Sequence, residues 1–196
     1  RKIHECGYRM GQTLSEEMMP VTNYSSERVV FESLAPDVQK PTRSTELSAG
    51  YDVRAHLTRE PIRIRRSAVE AVSKEAAVAD VGSDPAIILE SGDRALIPTG
   101  FRARLPKGYE AQIRMRSSLA WKCGLTVPNA PGTVDADYPD EWFVLVLNSS
   151  PHPVKITHGE RIAQIVLNRF AVFDWEEGEV SVSTDRVGGL GSTGIE

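Results

Sequence analysis

Apolar and polar residues alternate along much of the chain from about residue 94 onward, which is the pattern of half-buried β-strands. Phe101, Ala103 and Leu105 alternate with two arginines, and a second alternating run covers residues 109–115. A Pro-Lys-Gly turn separates the two runs, so we expect them to form a hairpin. Further strands are predicted at Val29–Leu34, Trp142–Asn148, Ile162–Val166 and Phe170–Phe173. Many short strands separated by turn residues indicate an all-β sandwich, barrel or jelly roll.

One segment has a helical pattern instead. Ser67 and Glu70 form a capping box ahead of a series of alanines and valines, and Gly82 supplies a stop signal. We predict a short helix near 67–81. The surrounding insertion, about 61–85, is expected to pack on the outside of a β domain.

The length of 196 residues suits one domain, which would bury roughly 70% of the surface of the unfolded chain. We expect residues 1–27 to be an N-terminal extension with a short helix around Leu14–Met19. Residues 28–183 are predicted to form the single domain, and residues 184–196 a glycine-rich C-terminal flap.

Charge and cysteine content narrow the range of partners. The chain has 23 Lys+Arg against 27 Asp+Glu and no long basic cluster, so we expect no nucleic-acid polymer as a partner. No apolar run approaches the roughly 20 residues of a spanning helix, so we expect no membrane partner. Cys6 and Cys123 are predicted to be free thiols, which is compatible with a reducing compartment and a cytoplasmic location. The first residue is Arg1 and not Met, which leaves a preceding targeting segment open.

A glycine-rich run, Gly188 to Gly194, lies near the C-terminus. Successive glycines let backbone N–H groups converge on an anion, and Ser192 and Thr193 add hydroxyl donors, so the composition suits phosphate. The run lacks the lysine and the following helix of a P-loop. A flexible tail without a binding role is the alternative.

Carboxylates are the remaining candidates for chemistry, because the four histidines form no ligand pair of the HxxxH kind. The candidate carboxylates lie in two places, at Asp52 and at the pair Asp135 and Asp137. On an extended chain the members of that pair face the same side, where they could hold a water or a magnesium ion. The alternative is a solvated acidic hairpin tip.

Five short segments in fixed order resemble the trimeric dUTP pyrophosphatase (dUTPase) family. They are Ala49-Gly50-Tyr51-Asp52-Val53, Arg116-Ser117-Ser118-Leu119-Ala120, Asn129 through Tyr138, Gly159-Glu160-Arg161-Ile162-Ala163-Gln164, and the tail from Arg186 to Gly194. The resemblance covers Glu46 to Gly194, apart from the insertion. It implies a dUTPase-like β jelly roll assembled as a homotrimer with shared active sites, in agreement with the strand pattern.

The resemblance also implies an activity, the magnesium-assisted hydrolysis of dUTP to dUMP and pyrophosphate. Asp135 matches the general base, and Asp52 matches the aspartate that meets magnesium through water. The segments that match phosphate-binding positions contain Arg116, Ser117, Ser118, Gln164, Arg186, Gly191, Ser192 and Thr193. Those that match nucleoside-binding positions contain Asn129, Gly132 and Thr133 for uracil, Tyr138 for deoxyribose, and Leu190 at the place of the aromatic that covers uracil.

This chain departs from the usual family pattern in three places. The tail motif from Arg186 to Leu190 is one residue shorter than in many members and lacks their aromatic. Met115 and Ser118 stand where Pro and Gly are common, and Pro139-Asp140 follows Tyr138 where Arg-Gly is frequent.

Two alternatives to the dUTPase interpretation are considered. A dCTP deaminase shares the fold and an Arg-Ser-Ser-Leu segment, but it needs a Glu in the strand after the hairpin, and Trp142 to Leu147 contains none. A non-catalytic nucleotide-binding or regulatory module is the second alternative, against which Asp52, Asp135 and Gln164 argue.

Overall fold

The computed structural model describes residues 27–66, 74–81 and 84–181, and strands make up most of its regular structure. In chain order the strands are β1 (Val30–Ser33), β2 (Thr42–Arg43), β3 (Tyr51–Arg54), β4 (Ile62–Arg65), β5 (Lys74–Ala76), β6 (Ala79–Val81), β7 (Asp84–Leu89), β8 (Arg94–Pro98), β9 (Phe101–Arg104), β10 (Tyr109–Met115), β11 (Leu125–Thr126), β12 (Gly132–Val134), β13 (Phe143–Asn148), β14 (Val154–Thr157) and β15 (Arg161–Arg169). One helix, α1, spans Ser117–Cys123 within the described ranges.

The strands form antiparallel sheets around a single apolar core. One five-stranded sheet has the order β12-β10-β15-β3-β2, and a second has the order β11-β13-β8-β4-β5. A three-stranded sheet, β14-β7-β6, and the pair β1-β9 complete the arrangement. The inward side chains of these sheets belong to one buried cluster, which includes Val53, Ile97, Val144 and Ile165. The all-β jelly roll expected from the sequence is confirmed.

Period-two alternation explains why these segments form strands. Buried and partly exposed residues alternate along β8 and β13, so that each strand gives one face to the core. The strands predicted at Val29–Leu34, Trp142–Asn148 and Ile162–Val166 are confirmed as β1, β13 and β15.

The hairpin predicted from the runs on either side of residues 106–108 is wrong, although both runs are strands. β9 pairs with β1, whereas β10 lies between β12 and β15. Gly108 has a φ of 80°, and the turn carries the chain from one sheet to another. Alternation identifies the face that each strand buries, but it does not identify the neighbouring strand.

The helix predicted near 67–81 is wrong for residues 74–81, where β5 pairs with β4 and β6 pairs with β7. Ala76 and Val78 are buried, whereas Ala77 and Ala79 are exposed, which is strand spacing. The same alanine-rich sequence suits a helix by propensity, but pairing with the flanking strands β4 and β7, its neighbours in sequence, overrides propensity here. Residues 67–73 lie outside the described residues.

The strand predicted at Phe170–Phe173 is also wrong. β15 ends at Arg169, which lies opposite Tyr109, the first residue of β10, so no partner strand continues beyond that point. Phe170 still donates its backbone N–H to the Gly108 carbonyl at 3.1 Å, and the chain then continues without strand pairing. The predictions for Leu14–Met19 and for the C-terminal flap lie outside the described residues. Within the described ranges, no helix has the length and apolar character needed to cross a membrane.

Asn148, the last residue of β13, joins the end of β7 to the loop that follows β13. Its wholly buried amide donates to the carbonyls of Leu89 at 2.9 Å and His152 at 2.8 Å, and it accepts from the Ser150 N–H at 3.0 Å. Asn148→Ala is expected to lower the free energy of unfolding by about 3 kcal/mol, because it removes the hydrogen bonds of a wholly buried amide to the Leu89 carbonyl and the Ser150 N–H, although the His152 carbonyl still accepts from the Ser150 hydroxyl. Urea denaturation measures the loss.

The matched control is Asn168→Ala, whose exposed amide contacts only the Glu110 carboxylate among the described residues. It should change the free energy of unfolding by less than about 0.5 kcal/mol. Equal effects of the two substitutions would contradict the role given to Asn148.

Candidate active site

A cavity of about 250 Å³ opens between the β10–β12 strands and the sheet that contains β8 and β13. Its lining combines apolar core residues with polar groups from the loops that flank β12. The lining residues are Arg63, Leu96, Ile113, Val127, Asn129, Gly132, Thr133, Val134, Asp135, Tyr138, Trp142, Phe143 and Leu145.

The structure brings together all five residues that the sequence assigned to nucleoside binding and water activation on this hairpin. Asn129, Gly132, Thr133, Asp135 and Tyr138 line the same cavity. Gly132 and Thr133 of this group lie on β12. The pairing of β12 with β10 sets the register and places Gly132 opposite Ile113. Backbone N–H and C=O groups at the cavity are therefore held by strand pairing, which suits them for reading the edge of a planar base.

Asp135 is the first residue after β12, and its side chain is exposed at the cavity. The chain turns at once, with the Tyr138 N–H donating to the Asp135 carbonyl at 3.2 Å. The expectation that Asp135 and Asp137 face the same side of an extended chain is therefore wrong. Asp137 lines a different cavity, beside Glu32 and Arg102.

The aromatic ring of Tyr138 is held at its far end. Its hydroxyl donates to the backbone carbonyl of Glu141 at 3.3 Å, and the Glu141 carboxylate accepts the Gly100 N–H at 2.6 Å. The ring thus forms one wall of the cavity, and about two fifths of the residue remains exposed. An apolar ring face at this position suits contact with a sugar.

A second group of polar side chains surrounds Asp52 on β3. Asp52 is only 6% exposed, and Arg161 donates to its Oδ2 at 2.9 Å. Arg116 Nε lies 3.3 Å from Oδ1, and Gln164 Nε2 lies 3.5 Å from the same oxygen. Strand register explains this grouping, because Gln164 on β15 lies directly opposite Asp52. We refer to Asp52, Arg116, Arg161 and Gln164 as the Asp52 cluster.

Sequence reasoning placed three members of the Asp52 cluster at the site and gave Arg161 no role. Arg161 lies in the segment from Gly159 to Gln164 that resembles the family, but its spacing of three residues from Gln164 does not indicate a contact with Asp52. A pairing irregularity between Arg161 and Ala163 lets Arg161 reach Asp52. Alternation alone does not reveal such a change of side-chain direction.

Gly50 is required by the close approach of Gln164. A Cβ added to Gly50 would lie 2.9 Å from Gln164 Oε1 and 3.1 Å from its Cδ. A side chain at position 50 would therefore push Gln164 away from Asp52. This contact gives a physical reason for the glycine that precedes Tyr51 and Asp52.

Ser117 and Ser118 are the first two residues of α1, a helix that the sequence reasoning did not predict. Arg116 is its N-cap residue with extended backbone, and the helix ends at Gly124 with a φ of 68°. The N–H groups of Leu119 and Ala120 both donate to the Arg116 carbonyl at 3.0 Å, whereas those of Ser117 and Ser118 precede the first acceptor of the helix and can face a ligand. The remaining predicted site residues, Arg186, Leu190, Gly191, Ser192 and Thr193, lie outside the described residues.

The ion pair of Arg161 with Asp52 should stabilise the folded protein. Arg161→Gln leaves a nearly buried carboxylate with Arg116 as its remaining guanidinium partner in the cluster. We expect a loss of about 2 kcal/mol in the free energy of unfolding, below the usual cost for a fully buried pair because Arg161 is partly exposed. Chemical denaturation at neutral pH measures it.

Arg102→Gln is the matched control, because Arg102 contacts Glu32 at a similar distance, 2.8 Å, but both side chains are about half exposed. It should shift the denaturation midpoint by much less than Arg161→Gln. If both variants shift the denaturation midpoint equally, the burial of Asp52 does not strengthen its ion pair.

Comparison with known proteins gives consistent results. The family model described as dUTPase matches residues 65–194. A deoxyuridine 5'-triphosphate nucleotidohydrolase of Solibacter usitatus is 39% identical over 145 residues, which cover 70% of this chain and 99% of that protein. The protein of the same name from Rickettsia bellii (strain OSU 85-389) is 45% identical over 110 residues, which cover 56% of this chain and 73% of that protein.

Solved structures agree at the level of the fold. The dUTPase from Streptococcus mutans aligns with a TM-score of 0.54 at 26% identity, covering 74% of this chain and 99% of that one. A Staphylococcus bacteriophage 80alpha dUTPase mutant with dUpNHpp aligns with a TM-score of 0.64 at 20% identity, covering 87% of this chain and 100% of that one. With a family model that matches well over half of its residues, the chain belongs to the dUTPase family.

Proposed function

We propose that this chain hydrolyses dUTP to dUMP and pyrophosphate, with a water activated by Asp135 attacking the α-phosphorus. Hydrolysis of dUTP is the activity of the family to which the chain belongs. The observation that carries the mechanistic proposal is the position of Asp135, exposed at the mouth of a cavity that Asn129, Gly132, Thr133 and Tyr138 also line. A base at that edge can reach the end of a bound nucleoside where the phosphates begin.

Asp135 would act as the general base. Its carboxylate takes a proton from the attacking water as the new P–O bond forms, and pyrophosphate departs as the bond between the α-phosphorus and the bridging oxygen breaks. The turn that follows β12 directs this carboxylate to the cavity and separates it from Asp137. One carboxylate of the pair is therefore assigned to the reaction.

Recognition of uracil is assigned to the backbone around Asn129, Gly132 and Thr133. A backbone carbonyl accepts from uracil N3–H and a backbone N–H donates to O4, whereas cytosine presents the opposite polarity at both positions. Strand pairing fixes the backbone at Gly132 and Thr133, so these groups cannot rotate to suit cytosine. Tyr138 packs against deoxyribose and leaves no room for a ribose 2′-hydroxyl.

The Asp52 cluster is assigned to the triphosphate. Arg116 and Gln164 would contact phosphate oxygens, together with Ser117 and the Ser118 N–H at the beginning of α1. Asp52 holds the two guanidinium groups at 2.9 and 3.3 Å. Prior alignment reduces the conformational entropy lost when phosphate binds.

Asp52 offers only a limited site for magnesium. Both of its oxygens contact guanidinium groups, and the described residues place no second carboxylate in the Asp52 cluster. This donor set fits a contact through water, with substrate phosphates as the direct ligands, and it does not fit an all-protein cage. Bound there, magnesium supplies charge neutralisation of the triphosphate.

The residues implied in the C-terminal tail belong to the same proposal. Arg186 is assigned to the γ-phosphate, Gly191, Ser192 and Thr193 to further phosphate contacts, and Leu190 to the cover over uracil. The tail would come from a neighbouring subunit of a homotrimer. The exposure of Asp135 and Tyr138 supports the need for such a cover, because phosphoryl transfer is favoured when bulk water is excluded.

A deaminase of the same fold is disfavoured by a specific contact. Glu141 is the carboxylate nearest in sequence to β13, and its Oε1 accepts the Gly100 N–H at 2.6 Å. That carboxylate is committed to the backbone of a neighbouring loop. β13 itself contains no acidic residue.

The specificity of the proposed reaction can be tested directly. With magnesium, the purified protein should release pyrophosphate from dUTP and at least about 100 times less, by kcat/KM, from dCTP, dTTP or UTP, because each mismatched group leaves a polar site atom unpaired or meets a steric clash. Ammonia release from dCTP is measured in parallel. Equal turnover of all four nucleotides would contradict the uracil-reading hairpin, and ammonia release would favour the deaminase.

The role of Asp135 is tested by Asp135→Asn, which keeps the shape of the side chain and removes its basicity. We expect kcat for dUTP to fall by about 100- to 10,000-fold, with the Kd of a non-hydrolysable dUTP analogue changed by less than about tenfold. Asp137→Asn is the matched control, two residues away at a different cavity, and it should retain most of the activity. If the two variants are equally active, the base has been misassigned.

A further inference from the structure

A cluster of two histidines and an aspartate lies apart from the Asp52 cluster and from the nucleoside cavity. His56 Nε2 lies 3.2 Å from Asp37 Oδ1, and His158 Nε2 lies 3.3 Å from Asp37 Oδ2. One ligand atom from each of these residues lies within 4.8 Å of the others. Among the described residues, no other group of three histidine, cysteine or acidic side chains meets this criterion.

The three side chains come from segments that are distant in sequence, and the backbone fixes each histidine. His56 follows β3 and donates its N–H to the Pro98 carbonyl at 2.8 Å. His158 follows β14 and donates its N–H to the Pro85 carbonyl at 2.8 Å. The Gly159 N–H also donates to the Ala55 carbonyl at 2.7 Å, which joins the two histidine-bearing loops.

Close packing directs the imidazoles toward Asp37. A Cβ added at Gly100 would lie 2.7 Å from His56 Cγ and 2.4 Å from Val38 Cγ2, so glycine at this position leaves room for His56 beside the Asp37 loop. Nδ1 of His158 is buried and has no hydrogen-bond partner among the described residues. Nε2 is therefore the nitrogen that His158 presents to Asp37.

The chemistry of this donor set is that of a transition-metal site. Two imidazole nitrogens and one carboxylate oxygen suit zinc and its neighbours among the first-row divalent metals, whereas magnesium prefers oxygen ligands alone. Bonds of about 2.1 Å in a tetrahedral site place ligand atoms about 3.4 Å apart. The two N–O separations here, 3.2 and 3.3 Å, are close to that value but end on different oxygens of Asp37, and one ligand atom from each residue lies within 4.8 Å of the others. A rotation of the Asp37 carboxylate and a small shift of the imidazoles would bring one atom of each residue to an ion.

The surroundings leave room for the ion and for water. Asp37, His56 and His158 line a cavity of about 60 Å³, and the Asp37 side chain is 56% exposed. His56 lies four residues beyond Asp52, or about 13 Å along an extended strand.

We propose that Asp37, His56 and His158 form a binding site for a zinc-class divalent cation, separate from the magnesium used in dUTP hydrolysis. The three protein ligands leave at least one position for water. Its role is structural, because it ties the loop after β1 to the loops that follow β3 and β14. The proposal does not depend on the assignment of the nucleotide site.

The experiment uses the full chain without an affinity tag, treated with chelator and then freed of it. Isothermal titration with zinc chloride should give one ion per chain, and zinc in about 100-fold excess over Kd should raise the Tm by at least about 5 °C. Zinc binding should weaken more than about tenfold in each of three variants, His56→Gln, His158→Gln and Asp37→Asn. Loss of a metal ligand should cost at least as much affinity as loss of a residue that hydrogen-bonds to that ligand. His152→Gln, at an exposed histidine away from the cluster, is the matched control.

Cobalt substitution gives a second readout that does not depend on how well the histidine variants fold. The wild-type protein with Co²⁺ should show visible d–d bands without the near-ultraviolet charge transfer of a sulfur ligand. The proposal would be overturned by the absence of zinc binding in the wild-type chain. Sulfur-to-cobalt charge transfer would also overturn it, because that signal points to the cysteines as ligands. So would zinc binding that survives Asp37→Asn and the two histidine substitutions, or zinc binding that His152→Gln weakens equally.

Discussion

Asp52 places a negative charge where almost no water reaches it, and three side chains from two segments of the chain converge to compensate for it. Arg161 and Gln164 approach from β15, and Arg116 approaches from the end of β10. A buried carboxylate without such partners would be too costly for the fold to retain. The positions of the guanidinium groups are consequently set by a requirement of folding, and the site inherits their alignment. Gly50 belongs to the same arrangement, because any side chain there would displace Gln164.

The charge balance of this cluster has a consequence for ligand choice. Two guanidinium groups surround one carboxylate, so the cluster has an excess of positive charge at a site that is partly withdrawn from solvent. An anionic ligand relieves that excess, whereas a bare cation increases it. The His56–His158–Asp37 cluster has the opposite character, with two imidazole nitrogens beside an acidic oxygen that is open to water. The same jelly roll thus presents two polar clusters with different ligand preferences.

Local sequence patterns predicted the parts of this structure that depend on local geometry. Alternation identified β1, β13 and β15 and the inward faces of β9 and β10, because burial on one face of a strand is recorded directly in the sequence. It could not identify the partner of β9, since pairing with β1 depends on residues some seventy positions away. The alanine-rich stretch at 74–81 misleads for another reason: its residues favour a helix by propensity, yet it pairs with the neighbouring strands β4 and β7. The segments that resemble the dUTPase family contain residues that the fold brings together, at the cavity beside β12 and around Asp52. Arg161 and the turn after Asp135 were missed since both depend on departures from regular strand geometry.

One row of paired residues runs across the sheet from the nucleoside cavity to the Asp52 cluster. Gly132 lies opposite Ile113, Ile113 lies opposite Ile165, and Ile165 lies opposite Tyr51, the neighbour of Asp52. Three strand-to-strand steps of about 4.8 Å make this row about 14 Å long. The sheet therefore fixes the spacing between the hairpin proposed to read a base and the cluster proposed to bind an anion. Side-chain substitutions at either end can change the affinity for a ligand, but the backbone hydrogen bonds of the sheet set the distance between the two ends.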